Sequence, residues 1–229
     1  MMTIDRGKVW IVVPAYNEGS IIRNVISDVR SEGYRIVVID DGSADDTGKH
    51  AFAAGAAVVR HPINLGQGAG LQTGIEYALS RGADYVVTFD ADGQHRAREI
   101  ARILRTMVTA KTDFVLGSRF LGATTNMPLR RRLLLRAATA FTRFTTGMKI
   151  TDAHNGLRAM TQRGAKTIHL RQNRMAHASE ILHQIANSKL PYVEAPVTID
   201  YTDYSLAKGQ KISNSVGILI DLFARRLHR

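Results

Sequence analysis

The chain has 229 residues, 45% of them hydrophobic, which suits one globular domain with a sizeable core. A net charge of +11 points to anionic partners, and the absence of cysteine excludes disulfides and thiolate metal sites and fits a cytoplasmic protein. No stretch approaches ~18 uninterrupted apolar residues, which excludes a spanning helix, and the start lacks the apolar core of a signal or transit peptide.

From the N-terminus, Val- and Ile-rich runs at residues 8–13, 35–40, 56–60, 85–90 and 113–117 read as buried strands. Between them, Ile21, Ile22, Val25, Ile26 and Val29 recur at helical spacing, as do Ile100, Ile103, Leu104, Met107 and Val108. Strands alternating with helices predict an α/β fold, a parallel sheet with helices on both faces. Ligands of such sheets bind beyond the carboxyl ends of the strands, so segments 14–18, 40–43, 64–70 and 90–94 should converge on one crevice. Past Gly117, Pro128 and Gly147 bracket a helix. It carries Leu133, Ala137, Ala140, Phe141 and Phe144 on one face beside a stripe of Arg132, Arg136 and Arg143. Residues 178–187 read as helical, 192–201 as extended, and 213–227 as an amphipathic helix.

The charge is concentrated late in the chain. Arg119, Arg130, Arg131, Arg132, Arg136, Arg143 and Lys149 meet no acidic residue between positions 117 and 149. Helix-turn-helix, zinc-finger and RNA-platform signatures are lacking, so phosphates and an anionic membrane surface are the expected partners and nucleic acid is not.

Three motifs carry chemistry. Asp90-Ala91-Asp92-Gly93-Gln94-His95 follows a strand and offers paired carboxylates to Mg²⁺ or Mn²⁺, a cation able to bridge two phosphates. Asp40-Asp41-Gly42-Ser43 offers acceptors for a nucleobase or ribose, with Asp46 or Thr47 opening the next helix. Pro14-Ala15-Tyr16-Asn17-Glu18 groups a proline, an aromatic and a carboxylate. The glycine-rich turn Gly66-Gln67-Gly68 follows the third strand, not the first, which fits a helix entry beside a ligand better than a dinucleotide fingerprint. His154, His177 and His183 read as packing or surface residues rather than a metal cluster.

Taken together, these motifs resemble the family 2 glycosyltransferases, whose catalytic domain has the GT-A fold. The resemblance continues through Gly117-Ser118-Arg119 and Asp152-Ala153-His154-Asn155-Gly156-Leu157-Arg158, covering roughly residues 9–211. It is nearest the dolichyl- and polyprenyl-phosphate sugar synthases and their surface-polysaccharide relatives. The resemblance implies an inverting transferase using a GDP- or UDP-linked sugar donor and a lipid-linked or polyprenyl-phosphate acceptor. Pro14, Tyr16, Glu18 and Asp40 or Asp41 would then hold base and ribose, with Gly66, Ala91 and Lys211 also on the donor. Asp90, Asp92 and Gln94 would face the metal, and Arg119 would bind phosphate. Asp152 is the candidate general base for a hydroxyl acceptor, with Glu180 second; a phosphate acceptor needs no base. The usual aromatic of the family is replaced by Leu157.

This assigns one domain over 1–229: a nucleotide-sugar half (1–117), an acceptor half (118–212) and a C-terminal helix (213–229). The expected location is cytoplasmic, on the inner face of the cell membrane. A nucleotidyltransferase would want a Gly-rich, basic signature at Pro14–Glu18, which is lacking, and a non-catalytic binding module would have lost the carboxylates that Asp90 and Asp92 retain.

Overall fold

The computed structural model describes residues 4–172, 176–202 and 204–205. Strands β1 (Val9–Ala15), β2 (Arg35–Asp40), β3 (Ala57–Arg60) and β4 (Tyr85–Thr88) fall on the first four expected runs. They alternate with α1 (Ile22–Ser31), α2 (Thr47–Ala53), α3 (Gln67–Ser80) and α4 (Arg98–Ala110). Next come β5 (Phe114–Thr125), α5 (Leu129–Thr146), β6 (Arg158–Thr161), the short α6 (Gln162–Ala165), α7 (His177–Ser188) and β7 (Tyr192–Asp200). Lys211 and segment 213–229 lie outside the described residues.

The described strands form one sheet in the order β3-β2-β1-β4-β6-β5-β7. The first four run parallel, and so do β5 and β7. β6 runs antiparallel to both its neighbours, which makes the sheet mostly rather than wholly parallel. β5 also extends well past residue 117, through a register shift between Ser118 and Ala123.

Alternate residues of β1 feed two cores, as a strand period of two requires. Val9, Ile11 and Val13 pack with Ile22, Ile26 and Val29 of α1 and Ile100, Ile103 and Met107 of α4. Trp10 and Val12 pack on the other face with Leu71 and Ile75 of α3 and Ile181, Leu182 and Ile185 of α7. Each such aliphatic side chain contributes about 1.5–3 kcal/mol when buried. Gly74 sets the height of α3, since a Cβ there would overlap the Val12 side chain. The helix thus lies close on β1 and brings its first turn to the strand ends.

α5 runs from Pro128 to Gly147, whose φ of 70° closes it. Its buried residues are Ala138, Thr139 and Thr142, small enough for close approach. The hydroxyls of Thr139 and Thr142 donate to the carbonyls of Leu135 (2.9 Å) and Ala138 (3.0 Å), so neither is left unsatisfied. The Leu133–Phe144 face points outward, with Leu133 60% and Phe144 80% exposed. Among the described residues no helix is long and apolar enough to cross a membrane.

Candidate active site

β1 has β2 on one side and β4 on the other, and beyond the carboxyl ends of these strands lies a cavity of about 1000 Å³. All four expected segments reach it: Pro14, Tyr16 and Glu18 after β1, Asp41 after β2, Gly66 and Gln67 at the start of α3, and Asp90, Ala91, Asp92 and Gln94 after β4. Arg119 of β5, Arg158 of β6, Arg131 of α5, His154 and His177 complete its lining.

On the first side, Glu18 is buried and its Oε2 accepts the Tyr204 hydroxyl (2.6 Å), while Tyr16 is 45% exposed in the cavity wall. Asp41 organises the floor. Its Oδ1 accepts the Leu65 amide (3.0 Å) and pairs with His61 Nδ1 (2.7 Å), and its Oδ2 accepts the Gly66 amide (2.7 Å). These bonds hold Gly66 at φ 99°, a conformation suited to glycine. Asp40 does not line the cavity. It is 1% exposed, and its Oδ1 accepts the Ser43 amide (3.0 Å), closing the turn on which Asp41 sits.

Across the cleft, the two carboxylates of the Asp90–Asp92 motif differ in environment. Asp90 Oδ1 accepts from Gln67 Nε2 (3.1 Å) and Oδ2 pairs with His95 Nε2 (3.1 Å). Burial opposes its charge, but His95 outweighs that and holds its pKa below the ordinary carboxylate value. Asp92 Oδ1 accepts the Gln94 amide (3.1 Å). Burial first, and the Asp90 charge second, push its pKa up to about 6. A raised carboxylate in a cleft is one whose negative charge the protein itself undercompensates. Hard oxygen donors with surplus negative charge fit Mg²⁺ or Mn²⁺. Among the described residues no group of three or more His, Cys, Asp or Glu could hold a metal alone.

The third side is cationic. The Arg119 amide and Nε donate to Asp152 Oδ2 (3.0 and 2.6 Å), Nη1 donates to the Tyr201 hydroxyl (2.8 Å) and Nη2 to the His154 carbonyl (2.6 Å). Burial works against its charge, but Asp152 and Tyr201 outweigh it and raise its pKa. Arg131 stacks over the Tyr201 ring at 5.1 Å. Burial lowers Arg158 to about 10 despite the nearby Asp90 and Asp152, and lowers His154 to about 4, so His154 is neutral near pH 7. Asp152 lies behind this wall with a side chain of zero exposure, its Oδ1 accepting the His154 amide (3.2 Å). Glu180 likewise faces backbone, accepting the amides of Arg171 (3.0 Å) and Gln172 (2.9 Å).

A family profile described as glycosyl transferase family 2 matches residues 10–169, a span that takes in β2 to β6, all of β1 but its first residue and most of the cleft lining. The chain belongs to this family. A UDP-N-acetylglucosamine–dolichyl-phosphate N-acetylglucosaminyltransferase of Methanococcus voltae is 31% identical to this family 2 protein, over 89% of this chain and 90% of the relative. The polyprenol monophosphomannose synthase of Mycolicibacterium smegmatis is 29% identical over 86% and 79% of the two chains. Glucosyl-3-phosphoglycerate synthase of Mycobacterium tuberculosis, solved with Mn²⁺ and UDP-glucose, superposes with a TM-score of 0.73 over 97% of this chain and 78% of its own, at 19% identity. That likeness shows the GT-A fold.

The structure brings ten of the candidate positions into this family 2 cleft and leaves three, Asp40, Asp152 and Glu180, out of its lining, while Lys211 lies outside the described residues. Sequence reasoning assigned no site role to Gln67, Arg131 or Arg158 and read His154 and His177 as packing or surface residues, yet all five line the cavity. Arg158 and His154 stood inside a matched motif, and their positions there were the available signal. His183 instead pairs through Nδ1 with the Ser179 carbonyl (2.8 Å).

Proposed function

We propose that this enzyme moves a sugar from a nucleotide-diphosphate sugar to a polyprenyl-phosphate or related lipid-linked acceptor, with inversion at the anomeric carbon. The observation that carries the reading is a single cleft that holds the Asp90 and Asp92 carboxylates, the second of them undercompensated, together with the buried arginines Arg119 and Arg158. Tyr16, Glu18 and the Asp41-held turn are suited to the nucleoside. Asp90 and Asp92 would hold Mg²⁺ or Mn²⁺, with donor oxygens as further ligands. When bound, the cation neutralises charge that develops on the departing nucleoside diphosphate. Arg119, Arg131 and Arg158 attract an anionic acceptor to the cleft, where guanidinium groups suit phosphate. A phosphate oxygen is already an anion when it attacks, so no side chain has to remove a proton, in keeping with Asp152 lying behind the wall. The names of two relatives, a dolichyl-phosphate N-acetylglucosaminyltransferase and a polyprenol monophosphomannose synthase, support the same acceptor class.

The donor side is tested by thermal shift, since a ligand of the folded state alone raises apparent stability. A nucleoside diphosphate should shift the midpoint strongly only with Mn²⁺ present. Asp92 is ionised above about 6 and protonated below it, so the Mn²⁺-dependent shift should shrink as pH falls through that value. An Mn²⁺-independent or pH-independent shift would contradict the cation role of Asp92.

The acceptor lipid places the reaction at a membrane surface, and α5 supports direct adsorption. Leu129 is 70% and Leu133 60% exposed beside Arg130, Arg132 and Arg136, on a helix whose other side lines the cleft through Arg131, Leu134 and Leu135. Each basic residue near an anionic bilayer contributes about 1 kcal/mol. Vesicles containing anionic lipid should sediment the protein at low salt and release it at high salt. Paired Leu129→Asp and Leu133→Asp changes should weaken sedimentation; equal binding to neutral vesicles would contradict the electrostatic part.

A further inference from the structure

One turn touches both acidic motifs, although they lie far apart in sequence. Leu65 and Gly66 donate their amides to Asp41 (3.0 and 2.7 Å), and the next residue, Gln67, donates its side-chain amide to Asp90 (3.1 Å). The turn has little room to move independently. A Cβ on Gly68 would overlap the Gln172 carbonyl, and Asp41 is itself braced by His61, whose Nε2 pairs with Thr73 Oγ1 (3.0 Å) further along α3. Gln67 lines the same cleft as Asp41 and Asp90.

We propose that Gln67 is a positioning residue that aims Asp90 at the cation and, through the Leu65–Gly66 turn, couples nucleotide binding at Asp41 to cation binding at Asp90 and Asp92. The coupling half rests on the donor reading above; the positioning half does not. Hydrogen bonds to a ligating carboxylate fix its orientation, and losing one such partner typically costs about 10- to 100-fold in metal affinity. Coupling between two sites is reciprocal, so a nucleotide that tightens the cation must itself be tightened by it to the same degree.

The test is Mn²⁺ binding to the full chain, followed by electron paramagnetic resonance of the free ion, with and without a nucleoside diphosphate. Gln67→Leu keeps the size of the side chain and removes its donor. It should weaken Mn²⁺ alone by about 10-fold or more and leave metal-free nucleoside diphosphate affinity unchanged. It should also reduce the factor by which each ligand tightens the other. Gln67→Asn, whose amide is one methylene shorter, should behave the same way and serves if the leucine variant does not fold. Unchanged Mn²⁺ affinity in both variants overturns the positioning role. Weakened Mn²⁺ with an unchanged coupling factor overturns the coupling. Mn²⁺ binding that responds to Gln67 in a protein that binds no nucleoside diphosphate would leave the positioning role standing and overturn the donor reading.

Discussion

Gly156→Ala is expected to reduce sugar transfer by at least ~100-fold in a protein that still folds, because small displacements of reacting groups cost that much. Gly156 precedes Leu157 and β6 and sits against the Asp90–Asp92 motif, so that an added Cβ would overlap the Asp90 carboxylate itself. The backbone gives little, since the Gly156 carbonyl accepts the Thr88 hydroxyl (2.5 Å) at the end of β4. The carboxylate must therefore swing, losing Gln67 or His95 or both. Overpacking of this kind costs about 1–3 kcal/mol of stability, which a domain of ordinary stability survives. Circular dichroism should remain native-like while Mn²⁺ affinity and turnover both fall. Turnover close to that of the unaltered enzyme would show that Asp90 is not held where the structure has it.

The largest stability effect is expected at Asp152→Ala. Arg119 and Asp152 form an ion pair with side chains 6% and 0% exposed, and removal of the carboxylate leaves a buried guanidinium without its counter-charge. Breaking such a pair from one side costs about 3–5 kcal/mol. Asp152→Asn keeps one acceptor oxygen, which can serve the Arg119 amide and Nε in place of Oδ2 while the His154 amide loses its partner, and should cost less than alanine. The two variants also separate a base from a strut. A general base would give the asparagine variant a profile stripped of its acidic limb, whereas a strut leaves the shape of the pH profile intact and lowers its height through a displaced Arg119. Urea denaturation reads the first effect, and kcat against pH reads the second.

The first four strands and the convergence of four loops were legible because β1, β2 and β4 are buried on both faces and read as unbroken Val and Ile runs. β6 was not, since Arg158-Ala159-Met160-Thr161 is four residues with a buried arginine, a pattern no hydrophobic run announces. The outward face of α5 was also undecidable from sequence, because its buried side is made of alanine and threonine whose hydroxyls bond within the helix. Within the site, pattern matching located acidic residues but not the direction of their side chains. Asp40 and Asp41 are neighbours in sequence, and alternation along the strand end sends one under the turn and the other into the cleft. Asp152 carried the chemistry of a base, and only its partner Arg119, remote in sequence, reveals it as a buried counter-ion.

The most direct test of the central claim supplies purified enzyme with UDP- and GDP-sugars, Mn²⁺ and undecaprenyl phosphate in mixed micelles, and follows nucleoside diphosphate and glycolipid together. The account predicts equal amounts of the two products from one of the donors, loss of both with excess EDTA, recovery on adding Mn²⁺, and an inverted anomeric linkage in the glycolipid. Full transfer in EDTA, pyrophosphate released from a nucleoside triphosphate, or transfer only to sugar hydroxyls and never to the lipid phosphate would contradict it.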